Sequence, residues 1–168
     1  VTTDPLPTPF TVTGGGTYCA EGTGVNVRLS GSATGVRYQL YNSLGAVGSE
    51  VAGTGSALDF GLQTVAGSYT VVARNATTSC NSNMTGSAMV NINSLPTAYN
   101  VTGGGNYCTG GTGVHVMMSN SNTGVDYTLN YLGSPIATFS GTGAPLDFGL
   151  QTGAGTYTVD AVNNTTTC

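Results

Sequence analysis

Apolar side chains recur at every second position in several short stretches of the chain. Val25, Val27 and Leu29 alternate with Asn26 and Arg28, and Val36, Tyr38 and Leu40 alternate with Arg37, Gln39 and Tyr41. Leu58, Phe60 and Leu62 form a third set and Tyr69, Val71 and Ala73 a fourth. Phe10 and Val12 precede them; Val90 and Ile92 follow. Period two marks a strand with one buried face, because successive side chains leave the backbone on opposite sides. The pattern then returns in Val114, Val116 and Met118; in Val125, Tyr127 and Leu129; in Leu146, Phe148 and Leu150; and in Tyr157, Val159 and Ala161. No helical stripe of useful length breaks it. The segments between strands are rich in glycine, which supplies the positive φ of tight turns at little steric cost.

The second round of the pattern is a repeat of the first. VTGGGTYC at 12–19 returns as VTGGGNYC at 101–108, LDFGLQT at 58–64 as the same seven residues at 146–152, and AGSYTVVARNATTSC at 66–80 as AGTYTVDAVNNTTTC at 154–168. Differences between the copies fall on predicted outward positions: Asn26 becomes His115, Arg28 becomes Met117, Arg37 becomes Asp126, Gln39 becomes Thr128 and Val72 becomes Asp160. The expected fold is all-β: tandem immunoglobulin-like antiparallel β-sandwich modules of about seven strands each. VTTDP at 1–5 aligns with VNINS at 90–94, so residues 1–5 read as the tail of a preceding repeat, 6–94 as the first module and 95–168 as the second. NSNMTGSAMVNIN, after Cys80, has no counterpart after Cys168. The second module is therefore expected to lack its last strand within this chain, to be supplied by a longer array or by a neighbour through strand addition. LPTPF and LPTAY join the modules without a loose linker, and Pro7, Pro9 and Pro96 stiffen the joint.

Composition narrows the function classes. Only 6% of residues are charged, there is no lysine, and the net charge is −4, which gives nucleic acid no basic footprint. No apolar run is long enough for a membrane span, so no membrane insertion is expected. Four cysteines, two in each repeat, indicate structural disulfides and an oxidising compartment. Of the three connectivities the self-contained one is favoured, Cys19 with Cys80 and Cys108 with Cys168, the bridge joining loops near one end of each sandwich. A zinc site is not expected, since the close C-x-x-C spacing is missing.

Motifs for catalysis are absent. His115 is the only histidine, on an outward position, and no nucleophile elbow or phosphate loop occurs. The chain is read as a non-enzyme with no cofactor and no metal. Asp59 and Asp147, equivalent in the two LDFG segments, are the best candidates for a repeated role, with a hydrogen-bonded surface carboxylate as the plain alternative. Tyr18 and Tyr107 before the first cysteines, with Tyr41 and Tyr131 near the most variable loop, are candidates for binding or intermodule contact.

The ordered series VTGGGTYC, GTGV, YQLYNSLG, GTGSALDFG and AGSYTVVARNATTSC resembles the immunoglobulin-like repeats of very large surface and adhesin-like proteins of Bacteroidota, exported by the type nine secretion route. That resemblance implies many tandem copies in one chain and an extracellular or cell-surface location. The expected role is a structural spacer of a surface fibre, filament or adhesin stalk, whose partners are further repeats and neighbouring subunits. The alternative is an adhesive module that binds a glycan or a host or cell-surface protein. A nearly uncharged surface of hydroxyls and amides fits lateral packing, because little charge desolvation opposes it.

Overall fold

A computed structural model describes residues 3–168. The chain divides into two compact units, Val1–Asn93 and Ser94–Cys168. Expectations for the first two residues of the 1–5 tail lie outside the described residues.

The first module contains β1 (Val12–Gly14), β2 (Gly16–Cys19), β3 (Val25–Leu29), β4 (Val36–Asn42), β5 (Gly45–Ala52), β6 (Leu58–Gln63), β7 (Gly67–Asn75), β8 (Asn81–Asn83) and β9 (Ala88–Asn93). One sheet has the order β1-β3-β6, the other β2-β9-β7-β4-β5, with β8 also paired to β7. Their facing sides enclose a core in which Val27, Leu29, Tyr38, Leu40, Tyr69, Val71, Ala73 and Val90 are almost fully buried. The second module contains β10 (Val101–Gly103), β11 (Val114–Met118), β12 (Val125–Tyr131), β13 (Ser134–Ser140), β14 (Leu146–Gln151) and β15 (Tyr157–Asn163). Its sheets are β10-β11-β14 and β13-β12-β15, around Val116, Met118, Tyr127, Leu129 and Phe148. Both modules are all-β, two-sheet and sandwich-like, as the alternation predicts.

The GGG motif does more than turn. Gly14, Gly15 and Gly16 all have positive φ, and there the first strand leaves β3 in one sheet and continues as β2 beside β9 in the other. The β2–β9 pairing is parallel, an exception to the expected antiparallel pattern. A Cβ at Gly14 would lie 2.2 Å from the Asn26 carbonyl oxygen, so only glycine fits this crossing.

Several expectations about facing are corrected. Leu62 and Leu150, expected on the inward face, are both about half exposed, and Gln63 is buried instead. Gly61 and Gly149 take positive φ, and the pairing with β3 and β11 slips there, between Asn26 and Arg28 and between His115 and Met117. Such a bulge reverses the facing of every later residue in the strand. The turned-in Gln63 is satisfied by donating its Nε2 to the carbonyls of Phe60 and Gly61 at 2.9 and 3.3 Å. Ile92 is likewise exposed, not inward. Finally, β5 and β13 occupy segments read as variable loop; each forms a hairpin on the edge of its sheet.

Candidate functional site: the two poles of each module

The chain enters the first module at one pole and leaves at the other. Thr11 pairs in parallel with Thr85, so the residues before it run back beside β8 toward Cys80. This inlet pole also carries the 30–35 loop, whose Gly35 carbonyl accepts the Ala76 amide at 2.9 Å. Asn93, the last residue of β9, lies at the opposite, outlet pole, where its carbonyl accepts the Ala20 amide at 2.8 Å. In the second module Leu95–Tyr99 and Cys168 line one cavity of about 300 Å³ at the inlet, while Tyr107 and Tyr157 line another near the opposite end of β15.

This geometry corrects the cysteine pairing. Cys19 is level with Asn93 in the β2–β9 register, three residues beyond Val90, which is opposite Gly67. Cys80 is level with Asn75, eight residues the other way along β7, because its carbonyl accepts the Asn75 amide at 2.9 Å. Eleven strand residues separate the two cysteines by roughly 35 Å. A disulfide tolerates Cα atoms no more than about 7 Å apart. Cys108 and Cys168 are likewise at opposite ends of β15, which alone spans about 20 Å. Cys80 and Cys108 are accordingly free thiols, and neither intramodule bridge forms; Cys19 and Cys168 are both disulfide-bonded.

The two aspartates occupy the bulge just described. Asp59 Oδ1 accepts the Gly61 amide and Asp147 Oδ1 the Gly149 amide, each at 2.8 Å, which holds the glycine in its positive-φ turn. The remaining valence of each carboxylate is met differently. Asp59 takes Arg28 Nε at 3.0 Å and Asn26 Nδ2 at 3.3 Å; Asp147 takes His115 Nδ1 at 2.8–2.9 Å. The Gly61 amide and then Arg28 lower the Asp59 pKa, and His115 and then the Gly149 amide lower that of Asp147. Both pairs are solvent-exposed, and no cluster of three or more metal-ligating side chains exists among the described residues.

The tyrosines gather at the outlet poles. Tyr18 donates its hydroxyl to the Thr64 carbonyl at 2.7 Å, and Tyr107 does the same to Thr152. Tyr131 donates to the Ala154 carbonyl at 3.0 Å and packs on Tyr157 with ring centroids 5.0 Å apart. Tyr41 is half-buried in β4 and has no tyrosine counterpart: Asn130 holds that place, buried, with Nδ2 2.8 Å from Asp160 Oδ2. Tyr131 instead replaces Asn42, and the change is accommodated by Gly153 where the first module has Val65.

A second feature of this pole escaped sequence reading. Between Gly104–Tyr107 and Gly153–Tyr157 lies an open cavity of about 210 Å³. The equivalent space in the first module is filled by β9, whose Val90 is opposite both Gly16 and Gly67, the counterparts of Gly105 and Gly155. Tyr69, Val71 and Ala73 are fully covered there, whereas Tyr157, Val159 and Ala161 remain half-exposed.

No family model matches the chain, and no curated protein matches it. Among solved structures it is similar to the human OSCAR ligand-binding domain, at 15% identity and a TM-score of 0.43, over 94% of this chain and 90% of that one.

Proposed function

We propose that the chain is a piece of an extracellular tandem-repeat protein in which each module serves as a spacer in a surface fibre or stalk. The observation that carries this reading is the placement of inlet and outlet at opposite poles. A module built that way adds its own length to an array. β7 alone spans about 30 Å. The second module begins at Ser94, directly after the last residue of β9, so little chain is spent on a linker. Disulfide-bonded Cys19 and Cys168 fit an oxidising, extracellular compartment. The near absence of charge fits packing of neighbouring subunits side by side. Chains of two, four and six repeats examined by small-angle scattering are expected to lengthen linearly. A maximum dimension that stays flat would overturn the spacer reading.

A second reading, an adhesive module for glycans or a protein surface, has the Tyr107, Tyr131 and Tyr157 cluster in its favour. Saturable binding on a glycan array, lost in Tyr107→Ala, would support it; a blank array would remove it.

A further inference from the structure

Each module carries one cysteine of each kind. Cys19 and Cys108 follow the tyrosine of the VTGGG motif at outlet poles; Cys80 and Cys168 close the NATTSC and NNTTTC loops at inlet poles. One of each kind is disulfide-bonded, Cys19 and Cys168, and one of each kind is free, Cys108 and Cys80.

The free thiols share turn hydrogen bonds with their bonded counterparts, although Cys19 also ends a strand paired to β9 and Cys108 does not. In the inlet loop of the first module Asn75 Oδ1 accepts the amides of Thr77 and Thr78 at 2.9 and 3.1 Å, its own amide binds the Cys80 carbonyl, and Ser79 has φ 60°. Around Cys168, Asn163 Oδ1 accepts Thr165 and Thr166 at 2.9 and 3.0 Å, its amide binds the Cys168 carbonyl, and Thr167 has φ 58°. At the outlets, the Cys19 and Cys108 carbonyls each accept a glycine amide at 2.9 Å, from Gly22 and Gly111, beside a tyrosine anchored on Thr64 or Thr152. Cys108 is exposed and Cys80 half-buried, and the distance between poles bars each from its own module's other cysteine.

We propose that Cys80 and Cys108 are disulfide half-sites for other copies of the repeat, Cys80 taking the outlet cysteine of a copy before it and Cys108 the inlet cysteine of a copy after it. This rests on the spacer reading and adds its covalent chemistry: modules are stapled to their neighbours and not within themselves. Formation of each bond removes two protons and two electrons from two thiols, and a small-molecule disulfide such as oxidised glutathione accepts both, leaving as two thiols.

The test uses the full chain with Cys80→Ser and Cys108→Ser variants in a glutathione redox buffer. The unmutated chain is expected to give a ladder of oligomers that collapses on reduction, with peptide mapping finding the Cys80 peptide joined to that of Cys108. Each variant alone is expected to remain monomeric, and their mixture to stop at a dimer. A mixture that stays monomeric, ladders built on Cys80–Cys80 or Cys108–Cys108 bonds, or a Cys19–Cys80 peptide would each overturn the proposal. None of these outcomes alters the scattering result, so failure of the staple and failure of the spacer reading are read separately.

Discussion

Arg28 Nε stands 3.0 Å from Asp59 Oδ2, and in the second module His115 Nδ1 stands 2.8 Å from Asp147 Oδ2 although Arg28 has become Met117. The side chain facing the carboxylate has moved from one strand position to another two residues away, while the carboxylate and the bulge beneath it stayed. The repeat conserves a pairing, not a residue, at this position.

Acid should weaken both pairings. The aspartate pKa values are lowered in the folded chain from the ordinary 3.8. On acidification the unfolded chain therefore takes up these protons first. The stabilisation is fully present above the ordinary carboxylate range and is lost as pH falls through the lower folded values. Asp59→Asn with Asp147→Asn keeps the oxygen that accepts the glycine amide but removes the charge. The expected outcome is a shallower fall of Tm below about pH 4 than in the unmutated chain, measured by thermal melts across pH. An unchanged slope would assign acid sensitivity elsewhere.

The Tyr131–Gly153 pair makes a sharper test of compensation between copies. A Cβ on Gly153 would lie 2.8 Å from Tyr131 Cζ and 2.8 Å from the Tyr157 hydroxyl. Gly153→Val, which copies Val65, is expected to destabilise the second module by about 1–3 kcal/mol through overpacking. Tyr131→Asn, which copies Asn42, should recover much of that loss in the double variant. Urea titrations of the four chains measure the coupling, and strictly additive losses would contradict it.

Sequence alternation alone located the strands that line both cores, because those strands keep period two against a single buried face. It misassigned Leu62 and Leu150 because one glycine in positive φ inserts a bulge, and period two then continues with its sign reversed. β5 was unreadable for a related reason: it is an edge strand with Gly45 and Gly48 in positive φ, and only Val47 and Val51 turn partly inward. The cysteine pairing failed differently. Repeat logic supplies which cysteines are equivalent, but the distance between poles follows from the β2–β9–β7 register, which no local pattern encodes.

Two buried tyrosines carry a constraint that hydrophobicity does not express. The Tyr38 hydroxyl accepts the Ala33 amide and the Tyr127 hydroxyl the Asn122 amide, each at 2.9 Å, pinning the loop before β4 and β12. Tyr38→Phe and Tyr127→Phe preserve the packing and orphan a backbone amide in a part-buried loop. Each is expected to cost about 1–3 kcal/mol in chemical denaturation, with faster amide exchange confined to that loop. A loss well under that would mean water replaces the hydroxyl.

The open space beside β15 should accept a strand. Its walls match those that hold β9 in the first module, with Gly105 and Gly155 facing each other where Gly16 and Gly67 face Val90. A peptide with the sequence of residues 86–93, GSAMVNIN, offers the two side chains that β9 buries, Ala88 and Val90, at the required alternation. Added to the intact chain, it is expected to raise the Tm of the second module as its concentration rises, since it binds the folded state alone. Amides of Tyr157, Val159 and Ala161 should gain protection from exchange as the strand pairs with β15. The same peptide with Ala88→Asp and Val90→Asp keeps its backbone donors but cannot bury those positions, and it should leave the Tm where it was. Equal stabilisation by both peptides would show that the backbone edge, and not the shape of the slot, selects the strand.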